Sequence, residues 1–163
     1  MALFTKYDSV EGSSTADGFD KMVQTTSLQI KSSRTGQYEQ SLAKAQQRTT
    51  GNAVMGPITI TQDVDKAYPK NCENMLGGKN CKKIEVFETL TVGGKQATIM
   101  KFVFEDCLFT GVSLETDGLG KSFAKVEFQP TKMEITYTEH DTKTGDKKGD
   151  VVGKFDASLT KAG

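Results

Sequence analysis

The residues able to do chemistry are few in this chain, and histidine is the scarcest of them. His140 is the only histidine, and it lies between Glu139 and Asp141 in a charged segment with no apolar neighbour to exclude water. Any Ser-His-Asp or Cys-His arrangement would depend on this one residue. An exposed, unreactive histidine is the simpler interpretation, so we predict no catalytic residue and no enzymatic activity.

The three cysteines are the remaining candidate nucleophiles and ligands: Cys72, Cys81 and Cys107. The acidic neighbours Glu105 and Asp106 raise the pKa of a thiol at position 107, which favours a core position over a catalytic one. Without a Cys-x-x-Cys motif and with a single histidine, the chain does not predict a zinc site, and we expect no metal and no cofactor. Three cysteines suit a reducing compartment, although a Cys72–Cys81 bridge across a helix end stays open.

One short glycine-containing motif is similar to part of a phosphate-binding loop. Gly120-Lys121-Ser122 matches the end of a P-loop, but the motif needs a glycine at position 115, where this chain has Glu115. A P-loop is also followed by a helix, and here the residue pattern predicts a strand. We therefore predict no nucleotide site.

Composition and charge exclude several classes of function. The 21 basic and 21 acidic residues give a formal net charge of zero, which disfavours a nucleic-acid-binding protein that depends on phosphate contacts. No apolar core follows the first four residues and no run approaches membrane-spanning length, so we expect neither a signal peptide nor membrane insertion. At 163 residues, the chain is expected to form one domain over residues 1–163, made in the cytosol.

Residues 58–109 have the clearest secondary-structure pattern. Apolar and polar residues alternate over Ile58–Thr61, which predicts a half-buried strand. A helix is predicted over about residues 66–77, with Pro69 in its first turn and Gly77-Gly78 as its left-handed stop. Alternation then resumes in two further strands that carry Ile84, Val86, Leu90 and Val92, and Met100, Phe102 and Phe104.

The rest of the chain predicts more strands. Alternating or strand-like segments begin near residues 3, 22, 108, 124, 133 and 151, separated by turns rich in Gly, Asp and Ser. We expect about nine antiparallel strands and one short helix. The fold class is therefore mainly β, as a β-barrel or a two-sheet sandwich.

Two segments are too polar for an ordinary domain core. In the second predicted strand, Ser27 and Gln29 lie opposite Leu28 and Ile30, which suits a face that lines water or meets another subunit. A long extended loop is predicted over about residues 31–54, because that stretch has no apolar stripe. It is either a mobile loop or an arm that orders against a neighbouring subunit.

Several of these segments, in this order and spacing, resemble the haemolysin-coregulated protein (Hcp) family, the inner-tube proteins of bacterial type VI secretion systems. The similar segments are Asp65–Lys70 with the helix and its double glycine, Phe102–Leu108, Val10–Thr15 and Met133–Thr138. The family often has a tryptophan in the second strand, whereas this chain has none; Leu28 and Ile30 take those apolar places.

The resemblance implies a structural function. Hcp proteins form six-membered rings that stack into a tube, which a contractile sheath propels outward with a spike at its tip and effectors in its lumen. It implies a homohexamer in the cytoplasm that is secreted without a signal peptide, with sheath, spike and effectors as partners. It places the arm against neighbouring subunits and rings, with Arg34, Gln37, Tyr38 and Arg48 as candidate interface residues. It also makes Ser27 and Gln29 candidates for facing the lumen.

Two alternatives stay open at this point. A tail-tube protein of a phage or phage-like contractile particle shares the ring architecture and would be separated by its genome neighbourhood. A monomeric secreted effector or binding module predicts a monomer in solution and a mobile segment over residues 31–54.

Overall fold

The computed structural model describes residues 1–39, 47–92, 95–141, 143–158 and 161–162. The described part of the chain forms one helix and eleven strands. In chain order they are β1 (Ala2–Tyr7), β2 (Val23–Gln29), β3 (Ser32–Glu39), β4 (Gln47–Met55), β5 (Ile58–Asp63), α1 (Ala67–Leu76), β6 (Asn80–Val92), β7 (Lys95–Thr116), β8 (Ser122–Gln129), β9 (Lys132–His140), β10 (Lys147–Asp156) and β11 (Lys161–Ala162).

Six strands close into an antiparallel barrel. Going round it, β7, β6, β1, β2, β5 and β8 are neighbours, and β8 pairs again with β7 to complete the circle. Strands β9, β10 and β11 continue outward from β7 as a sheet extension. The predicted fold class, a mainly β barrel with one short helix, is confirmed.

The long strand β7 belongs both to the barrel and to the extension. Its first half pairs with β6 and β9, and its second half pairs with β8. The change of partner occurs at Asp106, whose φ of 50° is the left-handed conformation that few side chains adopt. Thr131 opposite this point donates its N–H to the carbonyl of Glu105 at 3.0 Å. The bend therefore directs β9 and β10 away from the barrel wall.

The barrel interior is apolar, with a small number of buried polar groups, of which the Gln62 Nε2 atom has no hydrogen-bond partner among the described residues. Phe104 and Phe128 are fully buried and meet edge to face at 5.3 Å between ring centroids. The Tyr7 hydroxyl donates to Oε1 of Gln62 at 2.6 Å. Its burial raises the pKa of Tyr7 well above the usual range. A neutral phenol that is held by a buried amide stabilises the interior without charge.

A second, smaller cluster lies outside the barrel wall. Residues 8–22 fold back over β1 and β6 and bury Phe4 beneath Phe19, with the two rings stacked at 4.8 Å. Backbone hydrogen bonds hold this segment together, including Gly12 N–H to the carbonyl of Lys21 at 2.7 Å. Gly12 is packed so closely that an added Cβ would lie 2.2 Å from the carbonyl oxygen of Met22.

Helix α1 ends as predicted, and its buried face agrees with the predicted one only in part. Gly78 has φ of 63° and Lys79 donates its N–H to the carbonyl of Asn74 at 2.9 Å, which together form a Schellman stop. The spacing of Tyr68, Cys72, Met75 and Leu76 predicts that they share one apolar face. Tyr68, Cys72 and Met75 are half-buried, and Met75 packs against the barrel core, but Leu76 is 81% exposed. The fully buried side chains are Ala67 and Asn71. Apolar spacing could not indicate the burial of Asn71, because Asn71 is polar.

The segment predicted as a long extended loop contains two strands. Within the described residues, β3 and β4 pair only with each other, from Ser32 opposite Met55 outward to Glu39 opposite Gln47. The β3–β4 hairpin extends from the ends of β2 and β5. Where the two strand pairs meet, Gly56 N–H donates to the carbonyl of Lys31 at 2.8 Å. We call residues 32–55 the arm.

A register shift explains one place where alternation misleads. In β2 a shift between Thr25 and Ser27 lets Thr25 face the interior and then turns Leu28 inward. A bulge adds one residue and so exchanges the two faces of the strand. In β6 the pairing with β1 is regular, so Thr89 lies opposite Ala2 on the side of Phe87, where it is fully buried, and Leu90 at the strand end is 39% exposed.

Candidate assembly site

One face of the sheet extension is mainly apolar, and the other is polar apart from Val152. On the polar face, Lys154 contacts the carboxylate of Glu134 at 2.9 Å, and the Thr138 hydroxyl donates to Asp150 at 2.8 Å. The pairing of β9 with β10 places the apolar side chains together on the opposite face. We call this the extension face, formed by Met133, Ile135, Tyr137, Val151 and Phe155.

The extension face is covered only at its inner end. Met133 and Ile135 pack against the barrel core, where their strand pairs with Phe104 and Phe102 of β7. Farther out, Tyr137 is 49% exposed and Val151, directly opposite it on β10, is 71% exposed. An apolar strip that runs from a core into solvent is typical of a surface that another protein covers.

A groove of about 320 Å³ lies where the base of the arm meets the extension face. Val54 and Arg34 line the arm side, and Met133 and Phe155 line the other. The arm base is fixed by Gln129, whose Nε2 donates to the carbonyl of Met55 at 2.6 Å. Arg34, a predicted interface residue, is thus exposed at the edge of an apolar groove.

The other three predicted arm residues lie farther along the hairpin. Tyr38 in β3 pairs with Arg48 in β4, and Gln37 pairs with Thr49. The pairing brings all three onto adjacent rungs of one ribbon. Their backbone positions agree with a projecting arm, and their contacts with another subunit stay a prediction.

The two predicted lumen residues lie on a separate, polar surface of the barrel. Ser27 and Gln29 are exposed on β2 and border a depression of about 460 Å³. Thr59, Thr61 and Lys125 from the neighbouring strands complete its lining together with Leu28. The structure therefore brings hydroxyl and amide side chains from β2 and β5, together with Lys125 of β8, onto one polar wall.

His140, the single histidine, is held by backbone carbonyls instead of being exposed. Each ring nitrogen of His140 lies near a backbone carbonyl, Nε2 at 3.0 Å from Thr98 and Nδ1 at 3.3 Å from Gly145. A proton on Nε2 ties the end of β9 to β7 through the Thr98 carbonyl, and a proton on Nδ1 ties it to the following turn through the Gly145 carbonyl. The expected exposed histidine is therefore half-buried.

The structure also gives no catalytic function to the cysteine thiol at position 107 or to the glycine motif at positions 120–122. Burial raises the pKa of the Cys107 thiol well above its usual value, and the nearby Cys81 thiol and Asp106 carboxylate raise it further. Gly120-Lys121-Ser122 leads from a turn into strand β8, without the helix that a P-loop needs. No group of three or more metal-ligating side chains occurs among the residues that the structure describes.

The described residues also include no helix that is long and apolar enough to cross a membrane. The distinctive features of the molecule are its surfaces: the extension face, the arm and the polar wall. Sequence reasoning identified the arm and the wall from their polarity. It missed the extension face, because the alternation of Met133, Ile135 and Tyr137 looks the same for a covered strand as for an uncovered one.

These features define a class of protein: a closed antiparallel barrel with a sheet extension and a projecting hairpin arm. A family model described as "Type VI secretion system effector, Hcp" matches residues 4–137, most of the chain. The chain belongs to the Hcp family of type VI secretion system proteins, as its sequence motifs predicted.

Solved structures share the whole fold. One, described as a type six secretion system protein, is 18% identical, covers 99% of both chains and has a TM-score of 0.86. Hcp1 from Salmonella typhimurium is 18% identical over 99% of this chain and 98% of its own, with a TM-score of 0.73. A type VI secretion system effector from Yersinia pestis is 18% identical over 94% of this chain and 98% of its own, with a TM-score of 0.71. No curated protein sequence matches the chain significantly.

Proposed function

We propose that this chain is the structural subunit of a type VI secretion tube. Six copies form a ring, rings stack in the cytoplasm into an inner tube, and a contractile sheath propels the tube and its spike outward with effectors in the lumen. The whole chain, residues 1–163, acts as one tube domain without catalytic activity. Membership of the Hcp family supports the type of machine, and the surfaces of the barrel support the assembly.

The uncovered extension face is the observation that carries the proposal. Val151 and Tyr137 extend an apolar core into solvent at a sheet edge. In the part of the chain that the structure describes, the outer edge of β10 pairs only with the two-residue strand β11, at Phe155 and Asp156. A face of this kind gains free energy when a second copy covers it. The partner surface lies elsewhere on the same molecule, so the contact between two copies is head to tail. Such contacts form a closed ring when a whole number of subunit rotations makes a full turn.

The arm contributes the second set of contacts. An isolated two-stranded hairpin is marginally stable in water, and β3 and β4 have no other strand beside them in the described residues. We propose that Arg34, Gln37, Tyr38 and Arg48 contact neighbouring subunits and rings. Contact there would supply the packing that the hairpin lacks in a single chain.

Deleting residues 35–50 tests the arm. The deletion joins Arg34 to Gly51 and leaves Gly51-Asn52 as a two-residue loop between Arg34 and Ala53, which already pair. Gly-Asn is a favoured two-residue hairpin loop, so the barrel should fold normally. We expect ring closure or stacking to weaken at least tenfold in concentration, measured by sedimentation, with unchanged circular dichroism. Tubes equal to those of the full chain would contradict the arm assignment.

A thiol at position 29 tests the polar wall. Gln29→Cys introduces an exposed cysteine, whereas Cys81 and Cys107 are buried. After labelling with a maleimide-linked gold cluster, averaged electron micrographs of rings should show the label inside the central hole. The labelled wild type, with only half-buried Cys72 partly accessible, gives the background. Gold at the outer rim would place Gln29 and its neighbour Ser27 outside the lumen.

A further inference from the structure

We propose that Cys81 and Cys107 are a latent disulfide site, closed by oxidation once the protein leaves a reducing compartment. The two residues are direct partners across β6 and β7. Side chains of directly opposed residues project from the same face of a sheet. The site is a covalent modification of the single chain and does not depend on ring assembly.

The hydrogen-bond pattern shows which kind of strand pair the cysteines form. Lys83 accepts a hydrogen bond from the N–H of Asp8 at 3.0 Å, so its peptide groups point toward the β1 side and away from β7. Cys81 lies two residues earlier on β6 and shares this direction, because the pairing register with β7 is continuous from Cys81 to Lys83. Cys81 and Cys107 are therefore a non-hydrogen-bonded pair.

A non-hydrogen-bonded pair brings its residues closest together. The Cα atoms in such a pair are about 4.5 Å apart, against about 5.5 Å in a hydrogen-bonded pair. Disulfides span Cα separations of roughly 4.4–6.8 Å. The pairing therefore places the two Cα atoms within the range that a disulfide spans. Forming the bridge requires the Cys81 thiol to rotate away from the Lys83 carbonyl oxygen, to which it now donates at 3.3 Å. Cys72 is in helix α1 and has no such partner across a sheet.

The burial of the pair explains how the site stays reduced until it is needed. Cys81 is 2% exposed and Cys107 is fully buried. Burial raises the pKa of both thiols, so little thiolate is present at neutral pH. Exchange in the folded chain is consequently slow. Oxidation proceeds when the chain folds, refolds or opens locally in the presence of an oxidant.

The reaction is a thiol–disulfide exchange with a small-molecule disulfide such as oxidised glutathione. The Cys81 thiolate, second residue of β6 and close to the strand end, attacks one oxidant sulfur and releases the other half as a thiolate. The Cys107 thiolate then attacks the Cys81 sulfur, forms the protein disulfide and releases the second half. The protein loses two protons and two electrons, and one oxidant molecule becomes two thiols.

The test is refolding of the full chain from denaturant in buffers with excess oxidised or excess reduced glutathione. In the oxidised sample we expect one free thiol in place of three, a mass lower by two hydrogens and a Cys81–Cys107 peptide after digestion. The bridge closes the β6–β7 hairpin and should raise Tm by roughly 5–10 °C over the reduced sample. Dithiothreitol should reverse both changes.

Matched variants keep the result interpretable. Cys72→Ala should retain the full Tm difference between oxidised and reduced samples, whereas Cys81→Ala and Cys107→Ala should show none. Each difference is measured within one variant, so any destabilisation caused by the substitution cancels. Three free thiols in the oxidised wild type, a bridge that includes Cys72, or a bridge that lowers Tm would each overturn the proposal.

Discussion

Val151→Asp is expected to abolish ring formation and leave a folded monomer. In the single chain Val151 is 71% exposed, so a carboxylate there remains in water and should change the free energy of unfolding by no more than about 1 kcal/mol. In the proposed ring the same position is covered by a neighbour. Burying an unpaired carboxylate costs on the order of 3 kcal/mol or more, about a hundredfold weaker association at each contact.

Sedimentation velocity with thermal unfolding of the same samples measures both effects. Val151→Thr keeps the branched shape without the charge and should still form rings. Leu119→Asp places the same charge on a side chain that is 92% exposed in the turn between β7 and β8, and should also permit ring closure. Persistent rings in Val151→Asp would show that the extension face is not covered in the assembly.

Gly12→Ala is expected to cost about 3 kcal/mol in the free energy of unfolding. The new Cβ would lie 2.2 Å from the Met22 carbonyl oxygen, 2.3 Å from its carbon and 2.6 Å from the nitrogen of Val23. All three are backbone atoms, so no side chain can rotate away. The segment must move off β1, which uncovers Phe4 and separates it from Phe19. Urea unfolding at one protein concentration measures the change, and Tm should fall by roughly 6–12 °C.

Gly118→Ala is the control for this effect. Gly118 lies in an exposed turn, an added Cβ would meet nothing within 4 Å, and its φ is outside the left-handed region. Its free energy of unfolding should therefore change by no more than about 0.5 kcal/mol. Equal stability of the two variants would mean that residues 8–22 have room to shift and do not depend on a glycine.

The parts of the fold that could be predicted are those with regular patterns. Ile58 and Ile60 alternate with threonines, and both are fully buried in β5. The double glycine after α1 correctly marks its end, because Gly78 adopts positive φ. In both cases a local rule and the tertiary structure agree.

The parts that could not be predicted depend on contacts between distant residues. Thr89 is buried although it is polar, because its hydroxyl donates to the carbonyl of Ala2 at 3.1 Å and accepts from Gln96 at 2.9 Å. The strands β3 and β4 have no apolar alternation in their sequence, and among the side chains that the structure describes there, only Met55 is buried. Pairing alone defines them, and pairing partners are not visible in a local window of sequence.

The candidate site likewise has one part that could be predicted from the sequence and one part that could not. Ser27 and Gln29 were identified because polar residues on a strand face are locally visible, and both are exposed. Val151 and Tyr137 were assigned only to strands. These two side chains matter because they are left uncovered. They are uncovered because β9 and β10 leave the barrel at Asp106.

The most direct test of the tube proposal is the solution mass of the purified wild-type chain by sedimentation, with negative-stain images of the same sample. The proposal predicts a species with the mass of six chains and six-fold rings with a central hole. A monomer whose mass does not change up to high protein concentration, with no rings in the images, would contradict an assembly driven by the extension face.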